Sequence, residues 1–175
     1  MLSRLNEFAG LNVLPEIVRD LSINYDYILM DTAPGLSKYS LIPPRISDHA
    51  LFVVSPEPAS GSDSSRLKQA IQLLAPKLMM SAVLNKFKKG KGKTTAADVQ
   101  SRLGIETLVE IPEDDKVEES IKKRVPLVMY KPKSKASKAI LELAGRLIMG
   151  GKVLLEEAEG KKEKGFQIKK VLKEK

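Results

Sequence analysis

Asp31 closes a run of apolar and aromatic residues, Tyr27 to Met30, and Gly35 follows four positions later. A carboxylate at the end of a buried strand suits a hard, oxygen-seeking cation such as the Mg²⁺ that rides on a nucleotide. A glycine just beyond lets the backbone swing close to a phosphate. Three further polar motifs stand where apolar runs stop: Pro56-Glu57-Pro58, Asn85, and Pro112-Glu113-Asp114. The stretch Lys89-Gly-Lys-Gly-Lys-Thr-Thr95 also invites a phosphate-cradling reading, since it follows one element and opens another. Its spacing fails, because a glycine is needed five residues before Gly92 and that position is Phe87. A solvated lysine-rich loop, with a phosphate or nucleic-acid contact as the alternative, fits better.

These residues need a scaffold that brings strand ends together. Tyr27–Asp31 reads as a strand buried on both faces, because it does not alternate. His49–Ser55, Met80–Asn85 and Thr107–Ile111 read as further short strands, the last closed by Pro112. Between them lie helical patterns. Leu14, Ile17, Val18 and Leu21 recur at helical spacing, as do Leu67, Ile71 and Leu74 within 60–74. Residues 95–103 stop at Gly104, 115–123 form a short helix, and 134–149 place Ala136, Ile140, Leu143 and Leu147 inward. Strands alternating with helices predict an α/β domain, a mostly parallel sheet with helices on both faces. Ligands in such sheets bind beyond the C-terminal strand ends, where all four polar motifs fall.

Composition removes several chemistries. There is no cysteine, and His49 is the only histidine, so thiolate and multi-histidine metal sites are excluded. His49 has no acid–base partner nearby in sequence and reads as structural. Tryptophan is absent and aromatics are sparse, which argues against a stacking platform for single strands. No apolar run approaches a membrane span, and Asn6 and Glu7 interrupt any signal-peptide core. A net charge of +8 permits attraction to anionic lipid or nucleic acid without choosing between them.

Taken together, YDYILMDTAPGL, DHALFVVSPEPASGSDSSRL, SAVLNK and IPEDDKVEESIKKRVPLVMYKPKSKASKAILELAGRL resemble the C-terminal two-thirds of a MinD-type ATPase, in the MinD/ParA branch of the deviant P-loop proteins. The resemblance runs from about Pro15 to Ile148. It implies a P-loop NTPase fold of the SIMIBI type, ATP and Mg²⁺ as ligands, and a dimer that sandwiches two nucleotides. Members position division or segregation machinery on membranes or nucleoids, on the cytoplasmic side. By position, Asp31 would act as the Walker B carboxylate for Mg²⁺ and Gly35 as the switch glycine at the γ-phosphate. Asn85 would meet the adenine edge, and Pro112, Glu113 and Asp114 would wall the base. Pro56-Glu57-Pro58 would lie near the dimer face.

The family's Gly-rich phosphate loop is not among the residues before Asn24, so residues 1–150 read as a partial ATPase domain. Without that loop's N–H groups, Asp31 has little to complete, and hydrolysis by these residues alone is not expected. The missing strand would leave the sheet open between Tyr27–Asp31 and His49–Ser55. Direct pairing of those strands, association with a separate N-terminal piece, or membership of a larger product would each resolve it. The tail, residues 151–175, is mostly charge. Lys164–Lys175 resembles the short membrane-targeting helix of MinD proteins, with Ile168, Val171 and Leu172 in one arc between lysines and Phe166 off it. Two other readings compete: a non-catalytic dimerisation or membrane-binding module, and a basic nucleic-acid-binding protein acting through Lys86–Lys93 and Lys131–Lys138.

Overall fold

Three strands, β1 (His49–Val54), β2 (Met79–Phe87) and β3 (Thr107–Pro112), make one sheet in the order β1-β2-β3. The computed structural model describes residues 13–148 apart from Glu57 and Lys91, with the backbone alone at Lys38 and 58–62. These residues fall into two compact units, one within Met1–Leu51 and Ser62–Met80, the other within Phe52–Gly61 and Ser81–Lys175.

In the second unit β2 and β3 run parallel. Four consecutive residues of β2, Ser81 to Leu84, are buried. Side chains alternate between faces of a strand, so consecutive burial means that both faces are covered. The β2–β3 crossover contains α4 (Ala96–Leu103). Thr95 opens α4 with a capping box: its side chain accepts from the Asp98 N–H, and Asp98 accepts from the Thr95 N–H at 2.8 Å. Gly104, at φ +64, ends the helix in the left-handed conformation that suits glycine. Glu110 of β3 accepts from the Ala96 N–H at 2.8 Å, so the strand also serves the helix's first turn. Val99 and Leu103 bury the inner face of α4.

Beyond β3 come α5 (Lys116–Lys123), α6 (Leu127–Tyr130) and α7 (Lys135–Ile148). The buried residues of α7 are small: Ala136, Ser137, Ala139 and Gly145. Ala136 keeps its predicted inward place, whereas Ile140, Leu143 and Leu147 are half-buried. Ser137 donates to the Lys131 carbonyl at 2.7 Å and contacts the Leu127 carbonyl at 3.3 Å, fixing the turn before α7.

The first unit holds α1 (Leu14–Ser22), α2 (Lys38–Leu41), a 3₁₀ turn at Pro43–Ile46, and most of α3 (Pro58–Leu74). α1 runs one residue past the Leu14–Leu21 pattern but buries no residue, and Ile17 and Leu21 are exposed. Ile71 is the buried member of the Leu67–Ile71–Leu74 face.

One predicted strand does not form. Residues 27–33 belong to no helix or strand, Tyr27 is 57% exposed and Leu29 is 90% exposed. A strand buried on both faces needs ladder partners on its edges and layers above and below. None of the three described strands pairs with 27–31, so direct pairing with His49–Val54 is not how this structure resolves the open sheet. His49 itself lies half-buried at the start of β1, and burial lowers its pKa. Among the described residues no helix is long and apolar enough to cross a membrane. The lysine-rich tail lies outside the described residues.

Candidate functional site

The C-terminal end of β2 is shaped by a bulge. Leu84 pairs with Glu110 and Phe87 with Pro112, so three steps along β2 answer two along β3. The extra residue falls at Asn85-Lys86, and Lys86 takes φ +56. A non-glycine residue in the left-handed region carries strain, and bulges of this kind re-aim side chains at strand ends. Asn85 is half-buried there. Its Oδ1 accepts from the Lys86 N–H at 3.0 Å, and among the described residues its amide NH₂ has no partner. That leaves two donors and a second lone pair on the oxygen, the pattern that matches a heterocyclic base edge.

The loop after β3 is stitched to the same end. The Glu113 N–H donates to the Phe87 carbonyl at 3.0 Å. Lys88 pairs with Glu113 at 2.7 Å. Asp114 has both carboxylate oxygens engaged: Oδ1 accepts from the Lys116 N–H at 3.0 Å and Oδ2 from the Ala136 N–H at 3.3 Å. One side chain thus serves the first turns of both α5 and α7. The Lys116 N–H is the largest influence holding the Asp114 pKa below its ordinary value, and the Ala136 N–H and the Ser134 hydroxyl act in the same direction. Asp114 therefore shapes the loop, and Pro112 and Glu113 are its more available members.

Beside this loop opens a cleft of about 710 Å³, whose walls include Glu113, Asp114, Tyr130 and Ser134. Tyr130 donates to Glu119 at 3.2 Å, and Glu119 also pairs with Lys116. Lys131 stands 5.0 Å from the Tyr130 ring centre. Desolvation, then the Glu119 carboxylate, raises the Tyr130 pKa, so the phenol stays a donor. The Tyr130–Glu119 link was not legible in the sequence, since α6 is a four-residue helix with no periodicity of its own.

Asp31 and Gly35 lie in the first unit. Asp31 is exposed. Gly35 takes φ +80, which a side chain would strain, although a Cβ would meet nothing within 4 Å. The Gly35 carbonyl accepts from the Ser40 hydroxyl, which also bonds the Ser37 carbonyl at 2.9 Å. These bonds hold the turn after Asp31. Among the described residues no three His, Asp or Glu side chains group as a metal cage. The Mg²⁺ of a nucleotide keeps most of its waters and needs one or two carboxylates, so an exposed Asp31 fits that ion and no all-protein cage.

The profile of the family described as "Cellulose biosynthesis protein BcsQ" matches residues 5–148. The chain belongs to this family, within the MinD/ParA group of P-loop ATPases. An uncharacterised ATP-binding protein of Methanocaldococcus jannaschii is 30% identical over 149 residues, covering 85% of this chain and 56% of that protein. The MinD of Pyrococcus horikoshii, solved with Mg-ADP, is 27% identical with a TM-score of 0.68 over 77% of this chain and 55% of that one. The MinC:MinD complex of Aquifex aeolicus gives 26% identity and a TM-score of 0.73 over 90% and 63%. These neighbours confirm the α/β fold. The chain spans 56% of the archaeal relative's length, so the activity of such whole proteins is a matter for proposal.

Proposed function

We propose that these residues form the base-side part of a Mg-ATP site in a MinD-like positioning ATPase. Asn85 reads the adenine edge, Pro112 and Glu113 wall the base, and Asp114 holds the loop that presents them. By the family resemblance alone, Asp31 and Gly35 of the first unit are the candidates for the Mg²⁺ water shell and the γ-phosphate turn. The observation that carries this reading is the stitched rim: a bulge that re-aims Asn85, tied through Phe87 to the loop bearing Glu113. The P. horikoshii relative holding Mg-ADP supports it. The metal supplies charge neutralisation of the phosphates when bound.

No sequence of Walker A spacing occurs in the 175 residues. Backbone N–H groups of that loop supply much of a phosphate site, so these residues alone bind Mg-ATP weakly and do not turn it over. A homodimer, or a segment bearing the phosphate loop, completes the site, and peripheral attachment on the inner membrane face goes with the same reading. Calorimetry of the 175-residue chain with Mg-ATP is expected to show no micromolar binding. Saturation-transfer NMR is expected to show the adenine H2 and H8 protons touching the protein, with the signal reduced several-fold in Asn85→Ala. Micromolar affinity, or base protons that receive no saturation, would sink the reading.

A further inference from the structure

We propose that Lys86 is the positioning residue of the base site, acting through its backbone and not through its charge. The inference rests on the base-side reading above and deepens it. Among the described residues two non-glycine residues take positive φ, Lys86 at +56 and Arg124 at +55. Arg124 ends α5, and a left-handed residue just past a helix is common. Lys86 lies inside the span of β2, where no helix end calls for that conformation. Left-handed backbone is strained in a lysine, and such strain persists only where its surroundings hold it.

What holds it is the rim itself. Leu84 pairs with Glu110 and Phe87 with Pro112, and neither Asn85 nor Lys86 has a partner in β3. The peptide joining Asn85 to Lys86 turns its N–H onto the Asn85 Oδ1, at 3.0 Å. With that peptide turned, the chain must regain register within one residue, and the left-handed φ at Lys86 achieves it. The Phe87 carbonyl then accepts from the Glu113 N–H at 3.0 Å. One dihedral therefore serves two parts of the rim: the amide of Asn85 on one side and the loop that carries Glu113 on the other. The Lys86 side chain itself is exposed, so its ammonium is dispensable to this geometry.

Lys86→Gly, Lys86→Ala and Lys86→Val separate backbone from charge. All three remove the ammonium equally, and they tolerate positive φ in falling order. Nitrogen relaxation of the Asn85 side-chain amide is measured first, on the full chain without nucleotide, with the signal assigned by its loss in Asn85→Ala. Lys86→Gly is expected to keep that amide as ordered as in the parent, Lys86→Ala to loosen it, and Lys86→Val to free it, with the backbone signals of Ser81 to Leu84 unmoved. Saturation transfer to adenine H2 and H8 should follow the same order and fall several-fold in Lys86→Val. Adding Lys86→Val to Asn85→Ala should cost no further signal, since both act through one amide. Urea unfolding is expected to place Lys86→Gly at the parent's midpoint or above it.

The proposal falls if Lys86→Gly and Lys86→Val give the same Asn85 order and the same base signal. Both matching the parent would mean that nothing is positioned, and both falling would assign the role to the charge. If Lys86→Val unfolds, Lys86→Gly carries the decision, and loss of Asn85 order there overturns the proposal. If adenine receives no saturation in the parent, the nucleotide reading fails by itself, and the relaxation series still decides whether Lys86 positions Asn85.

Discussion

Asp114→Ala is expected to destabilise the chain by about 2–3 kcal/mol, more than a single lost helix cap. A capping side chain contributes roughly 0.5–2 kcal/mol, and this carboxylate serves two helix starts at once. Its partners Lys116 and Ala136 lie 2 and 22 residues further along the chain, so alanine leaves two first turns short of an acceptor. Urea unfolding should show a lower midpoint at an unchanged slope. Asp114→Asn keeps one acceptor and is expected to lose about half as much. The acid limb gives an independent check. The folded-state pKa of Asp114 is depressed, chiefly by the Lys116 N–H. Its contribution is therefore complete above the ordinary carboxylate pKa of about 3.9 and is lost as pH falls through the lower folded value. The gap between parent and Asp114→Ala should be constant from neutral pH down to that point and shrink below it. A loss under about 0.5 kcal/mol at neutral pH would place Asp114 among ordinary surface residues.

The same loop shows where sequence reading works. Thr95 and Gly104 announce the ends of α4 by local chemistry, because caps are made from residues a few positions apart. Met80–Asn85 and Thr107–Ile111 read as strands because buried parallel strands are short apolar runs, and the observed strands extend them to Met79–Phe87 and Thr107–Pro112. What escaped depends on residues far apart in the chain. Nothing about Lys86 marks it for a left-handed turn; the bulge follows from the register between β2 and β3. Asp114 stands in a predicted site motif, yet its carboxylate reaches Ala136, which no local pattern reveals. That carboxylate clamps the loop by bonds to two helix starts. The last helix was placed correctly, but its buried face is made of small residues that a hydrophobic period underweights.

Two leucines, one buried and one exposed, put the corrected strand to a direct test. Leu84 and Leu29 each sit within an apolar run that reads as a buried strand. Leu84 is 0% exposed in β2, one residue before the bulge that presents Asn85, while Leu29 is 90% exposed. Leu84→Ala removes buried methyl groups and leaves a void in a layer covered on both faces, and such changes cost about 2–5 kcal/mol. Leu84→Met keeps the volume and is expected to cost less than about 1.5 kcal/mol. Leu29→Ala is expected to stay within about 0.5 kcal/mol of the parent, since it removes a side chain that is already in water. Had 27–31 been the core strand its composition suggests, the two alanine variants would unfold at similarly reduced urea concentrations. Comparable losses at both positions would therefore restore the buried strand, and with it the placement of Asp31 at a strand end. A large loss at Leu84 alone supports a 27–31 segment whose apolar side chains are exposed.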